Sequence, residues 1–142
     1  MKYRAIGESH LYSKAYSKGK KCVAKRVVVY VLKDFRSEAF RKADPLKRPL
    51  NRIGLTVTKK IGSAVERNRV RRIMREGYRA VDSKYQLAKG YLVVIVARGQ
   101  IAGAKSGDIE RDLLYAFRSL DMIAGGHSAS KSKAKEDGGS VR

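Results

Sequence analysis

Between Ser63 and Ala80 the sequence SAVERNRVRRIMREGYRA carries six arginines and one asparagine at spacings suited to one chemistry, the recognition of phosphate. Arginine presents a planar fork of donors that matches phosphate oxygens, whereas lysine offers a hydrated point charge. At about 100° per residue, Arg71, Arg72, Arg75 and Arg79 gather on one arc with Asn68 beside them, and Arg67 and Arg69 flank it. The plain alternative is a solvated helix face whose arginines pair with carboxylates. Glu66 and Glu76 are the only acids within or next to the arginine span, too few to neutralise it locally.

Bond-breaking chemistry has no comparable constellation. Phosphodiester hydrolysis by a protein needs positioned acids and bases or metal-binding carboxylates. Here the acids are scattered, no HxxxH or DxD-like pattern occurs, and His10 and His127 are isolated. Cys22 is the single cysteine, so an internal disulfide and a cysteine metal cluster are both excluded, and its default role is a small apolar filler. No catalytic residue, cofactor or metal site is expected on the protein.

The elements that must hold the arginines are also legible. Val70, Ile73, Met74, Gly77, Tyr78 and Val81 form the apolar arc of the same helix, Ser63 and Glu66 form a capping box at its start, and Gly62 permits a sharp entry turn. Leu11, Tyr12, Ala15 and Tyr16 predict a short first helix over 9–18, with Ser9 as a possible cap and Gly19 as its stop. The β-branched run VVVYVL over 27–32 predicts a strand buried on at least one face. Residues 52–58 alternate, with Ile53, Leu55 and Val57 on one side and Arg52, Gly54 and Thr56 on the other. YLVVIVA over 91–97 predicts a third strand, and Ile109, Leu113, Ala116, Phe117 and Leu120 mark a last helix capped near Ser106 or Asp108. The segment 34–50, with Pro45 and Pro49, reads as a long basic connection, mobile in the free protein.

The order is therefore α, β, β, α, β, α in one domain over 1–123, followed by a glycine-, serine- and lysine-rich tail over 124–142 that is expected to be disordered. The chain of 142 residues has a formal net charge of +20, of which the tail contributes only +2. Such a charge implies a polyanionic partner bound with steep salt dependence. An anionic membrane is the competing partner, but no stretch nears the roughly 20 apolar residues of a bilayer span. The N-terminus lacks the apolar segment of a secretory signal, so a cytoplasmic location is expected.

The arginine helix and the lysine-rich turn before it, KKIGSAVERNRVRRIMR over 59–75, resemble the signature of the protein subunit of bacterial ribonuclease P. The element order from about Tyr12 to Leu120 is similar to that family as well. The resemblance implies an α+β fold, a two-layer α/β sandwich of the ribosomal-protein-S5 domain 2-like type. Its βαβ crossover would be left-handed, against the general right-handed expectation.

It also implies a ribonucleoprotein endoribonuclease that removes the 5′ leader of precursor tRNA, with catalysis in a large RNA subunit that holds Mg²⁺. The protein would bind both leader and RNA subunit and broaden substrate specificity. Arg67, Asn68, Arg69, Arg71, Arg72 and Arg75 would then face the catalytic RNA. The leader would lie in a cleft between the first helix and the sheet, against Tyr12, Tyr16 and Tyr30, with Arg52, Lys59 and Lys60 as backbone contacts. Family members often carry phenylalanine at the first two of these tyrosines. Base stacking on aromatic rings tolerates many sequences, which suits varied leaders; the competing reading packs all three tyrosines in the core. The partners implied are the catalytic RNA and precursor tRNA, with no membrane and no obligatory protein. Two other functions fit the composition: a ribosomal or RNA-chaperone protein without associated cleavage, and a DNA-binding protein with the arginine helix in the major groove. The latter is weaker, because Asn68 is the main base-reading candidate and no dimerisation element is evident.

Overall fold

Side chains alternate across a strand, and here the alternation divides the molecule into two cores. The computed structural model describes residues 4–123; the expected tail over 124–142, with His127, lies outside them. Five strands, β1 (Arg4–Ala5), β2 (Lys20–Val23), β3 (Val27–Lys33), β4 (Arg52–Thr56) and β5 (Tyr91–Ala97), form one sheet in the order β1-β4-β5-β3-β2. β1, β4 and β5 are parallel, whereas β3 is antiparallel to both β5 and β2.

Val27, Val29 and Val31 of β3, Ile53 of β4 and Val93 and Ile95 of β5 face the larger core. Two helices cover it, α3 (Ala64–Lys84) and α4 (Ser106–Ser119), through Val70, Ile73, Met74, Tyr78 and Val81 of α3 and Ile109, Leu113, Ala116 and Phe117 of α4. Each fully buried aliphatic side chain there contributes about 1.5–3 kcal/mol. Because β4 and β5 are parallel neighbours, α3 is the crossover between them.

The opposite face carries a smaller core in which Leu92 and Val94 meet Leu11 and Ala15 of α1 (Ser9–Lys18). The polar side of β4 expected from sequence is thus the side that faces α1. Val94, Tyr30 and Gly54 share one row of the sheet, and Leu92, Leu32 and Arg52 the next.

Three elements are additional to the sequence reading. β1 is two residues long, too short to alternate. β2 reads KKCV and is largely exposed, an edge strand held in a hairpin by β3 and protected by lysine. The segment 34–50 is not a structureless connection: it contains α2 (Ser37–Ala43), which buries no residue fully and so leaves no apolar period to detect. A turn follows, organised by Asp44, whose carboxylate accepts from the backbone N–H groups of Leu46 and Arg48 and from the Arg48 guanidinium at 2.9 Å. The Arg48 hydrogen bond leads the causes that bring the Asp44 carboxyl down to about 2.

The helix caps also differ in detail. Ser63 Oγ accepts from the Glu66 N–H at 3.3 Å, while the Glu66 carboxylate lies 3.5 Å from Arg69, so the expected box is met on its serine side. At α1 the cap position is Glu8, with Ser9 already helical. At α4, Asp108 accepts from the Lys105 N–H at 3.0 Å.

Candidate nucleic-acid interface

A twenty-one-residue helix with one apolar arc presents its other side chains at fixed angles, and α3 is anchored firmly enough to keep them there. Gly62, at φ 151°, makes the entry turn, and Ser63 caps the first turn. Inside the core, Asn51 donates to the Tyr78 hydroxyl and to the Ala88 carbonyl and accepts from the Tyr91 N–H, which ties α3 to the starts of β4 and β5. Gly77 lets α4 approach, since a Cβ there would stand 2.8 Å from Ile109 Cγ2.

The arginines of α3 divide into two groups. Arg71 and Arg75 line a groove of about 200 Å³ together with Ala5, Ile6, Tyr12, Ile53 and Leu55, at the edge where β1 meets β4. Arg71 also donates to Asn68 Oδ1 at 3.1 Å, and Arg67 donates to the Gly62 carbonyl at 2.8 Å, which orients both forks. Arg72 and Arg79 are exposed. Among the described residues no carboxylate pairs with Arg67, Arg71, Arg72, Arg75 or Arg79. Arg69 is the exception within the expected set. It turns to the other side of α3, where Nη1 donates to the Ala104 carbonyl at 3.2 Å and Nε approaches Glu66. The helical angle of Arg69 already separates it from the other arginines, but a carbonyl donated by a distant loop is invisible in sequence.

The three tyrosines meet on the α1 face of the sheet. Tyr16 and Tyr30 are edge to face with centroids 4.9 Å apart, and the Tyr16 hydroxyl is hydrogen-bonded to Thr56 Oγ1 at 3.0 Å. Tyr16 is 41% exposed, while Tyr12 and Tyr30 are half-buried along the rim of the smaller core. They neither vanish into the core nor stand free, so their ring faces remain a surface of fixed shape. Tyr12 lies over Gly54, where a Cβ would come within 2.6 Å of its ring. Burial, and then the neighbouring Tyr16, raise the Tyr12 phenol above its ordinary value, so it stays protonated and neutral near pH 7.

Arg52 departs from its expected place. It is only 5% exposed, and its fork is closed by Asp34, with Nε to Oδ2 at 2.7 Å and Nη2 to Oδ1 at 2.9 Å. Its Nη1 donates to Glu8 at 3.1 Å, and the guanidinium lies 5.0 Å over the Phe40 ring. Each of its three nitrogens donates inside the protein, so it is a brace between β4, α1 and the 34–50 segment rather than a free phosphate contact. Lys59 and Lys60 are exposed on the 3₁₀ turn Lys59–Ile61 that leaves β4 just beyond Thr56.

Sequence reasoning missed the groove that joins Tyr12 to Arg71 and Arg75. It arises because β1, too short to read, leaves the β4 edge partly open. The arrangement can stack bases on one side and clamp phosphates on the other. Among the described residues no cluster of three or more His, Cys, Asp and Glu gathers, and no helix is long and apolar enough to cross a membrane.

The comparisons with known proteins point the same way. The ribonuclease P family matches residues 2–121. The ribonuclease P protein component of Clostridium acetobutylicum is 32% identical over 123 residues, covering 87% of this chain and 93% of its own. That of Caldanaerobacter subterraneus is 36% identical over 103 residues, covering 72% of this chain and 77% of its own. Among solved structures, the Staphylococcus aureus RNase P protein superposes with a TM-score of 0.65 at 22% identity, covering 87% of this chain and 99% of that one. The Thermotoga maritima RNase P protein gives 0.62 at 20% identity, covering 79% and 93%. The fold is accordingly the ribosomal-protein-S5 domain 2-like sandwich expected from sequence. With a family match over nearly all described residues and relatives above 30% identity across most of its length, the chain belongs to the family of bacterial ribonuclease P protein subunits.

Proposed function

We propose that this subunit holds two RNAs at once: the catalytic RNA on the arginine face of α3, and the single-stranded 5′ leader of precursor tRNA in the tyrosine cleft under α1. The observation that carries the reading is the shared groove at the β1–β4 edge, where the ring of Tyr12 lies beside Arg71 and Arg75, neither of which has a carboxylate partner among the described residues. A leader leaving the cleft past Tyr12 would meet cations that also face the RNA subunit, so the protein offsets phosphate repulsion where two backbones converge. Arg67, Asn68, Arg71, Arg72 and Arg75 form the docking face, and Arg69 supports it from behind by holding the Ala104 loop.

Hydrolysis belongs to the RNA, where Mg²⁺ would activate the attacking water. The protein contributes by position and charge. Tyr12, Tyr16 and Tyr30 tolerate any base, because stacking uses a face that every base has, and this breadth suits a substrate set whose leaders differ.

The test is reconstitution with the purified catalytic RNA. Tyr16→Ala is expected to lower affinity for leader-bearing precursor by roughly tenfold, in line with the loss of one base stack, and to leave affinity for mature tRNA nearly unchanged. Equal losses for both ligands would show that Tyr16 only supports the fold. If the chain fails to stimulate processing at low Mg²⁺, the reading as an RNA-binding protein without associated cleavage takes its place.

A further inference from the structure

α1 has a second flank. At helical spacing His10 and Lys14 lie on the side opposite Tyr12 and Tyr16, with Leu11 and Ala15 buried between. On that flank a separate cavity of about 300 Å³ opens, floored by Leu11, Leu32 and Leu92 and walled by Phe35 at the head of the 34–50 segment. Phe35 is 79% exposed, the ring stands at the mouth, and the Lys14 ammonium sits 4.9 Å from its centroid.

The charges around this cavity are unequal. Both of its carboxylates are committed: Asp34 to Arg52 at 2.7 Å, and Glu8 to Arg52 at 3.1 Å with Arg36 at the outer distance of 4.0 Å. Lys14 and Lys33 have no carboxylate partner among the described residues. The result is an exposed aromatic ring beside an apolar floor, rimmed by Lys14, which lies against that ring, and by Lys33, neither of them ion-paired among the described residues, in a cavity about the size of the smaller ligand pockets.

We propose that this cavity is a second site for single-stranded RNA, holding one base against Phe35 and the adjoining phosphates with Lys14 and Lys33. Ring and cation together are the two components of sequence-tolerant single-strand binding. An acidic or apolar peptide would use either the cations or the floor, whereas a nucleotide uses both. The site is separated from the tyrosine cleft by the body of α1, so a strand held in one could reach the other only by passing over the helix. The inference rests on single-strand binding by this chain, not on the identity of the strand as a leader.

The experiment uses the full chain with a labelled oligouridine of about 12 nucleotides, long enough to engage both flanks, at fixed low salt. Phe35→Ala is expected to weaken binding about five- to tenfold, an effect of the size of one stack, and Phe35→Tyr to restore it. Photocrosslinking with iodouridine should label the tryptic peptide Asp34–Arg36. Because Phe35 is largely exposed, its replacement leaves the thermal midpoint unchanged. Unchanged affinity in Phe35→Ala, or crosslinks confined to α1 tyrosines, overturns the proposal. Tyr16→Ala in the same assay reports on the tyrosine cleft alone: a loss with Phe35→Ala but none with Tyr16→Ala would uphold this site and remove the other, and the reverse would do the opposite.

Discussion

One residue that looks incidental in the sequence sets the shape of the tyrosine cleft. Gly54 gives Tyr12 its place, because any Cβ there would enter the ring's volume. Gly54→Ala is therefore expected to leave the chain folded but to push Tyr12 outward, weakening leader-bearing precursor more than mature tRNA; paired binding curves check it, and equal losses would assign Gly54 to packing alone. The resemblance puts Arg52 among the backbone contacts near the leader cleft. Its partners Asp34 and Glu8 come from far along the chain, so no local pattern announces that the guanidinium is already bound. Burial by itself raises the Asp34 carboxyl, but the hydrogen bonds from Arg52 and the Arg36 N–H, with both charges, hold it below its ordinary value. The unfolded chain thus takes up the proton more readily, near the ordinary value of about 3.9. The stabilisation is complete above that value and is lost as pH falls below it through the folded one. Denaturant midpoints should show Asp34→Asn less stable than the parent at pH 6, with the gap closing in acid; a gap independent of pH would mean that the charge of Asp34 is not what stabilises.

At the scale of elements, legibility followed burial. The strands over 27–33, 52–56 and 91–97 and the helices over 9–18, 64–84 and 106–119 all bury one face, and that face writes a period into the sequence. β2 and α2 bury almost nothing, so their residues are free to be polar and their conformation is set by neighbours: the β3 hairpin in one case, and Asp34, Asp44 and the Arg41–Glu38 pair in the other. The contact between α3 and α4 shows how the reading of a single residue changes with the element it faces. A glycine within a helix is ordinarily about 0.5–1 kcal/mol worse than alanine, so Gly77→Ala would be expected to stabilise. Its Cβ would instead meet Ile109 and the Glu110 backbone, at 2.8 and 3.1 Å. Overpacking of this kind typically costs 1–3 kcal/mol, which outweighs the propensity gain. Thermal unfolding of Gly77→Ala should show a lowered midpoint, and a raised one would mean that α4 shifts freely and that the two helices are not locked.

At the scale of the whole molecule the net charge of +20 makes any RNA complex salt-dependent, and this alone does not say which cations touch phosphate. The slope of log affinity against log salt does, because each neutralised phosphate contributes close to one unit, about 0.7–0.9. Arg71 and Arg75 lie beside the groove without a carboxylate partner among the described residues, whereas Arg69 is turned to Ala104 and Glu66. Replacing Arg71 and Arg75 together by alanine should therefore lower the slope for the RNA subunit by about 1.4–1.8. Arg69→Ala should leave the slope intact while loosening the loop at Ala104, visible as faster amide exchange there. Filter retention across a salt series measures both slopes. A slope lost equally on removal of Arg69 would place all the arginines on one RNA surface, and the division of α3 into a docking side and a bracing side would fall.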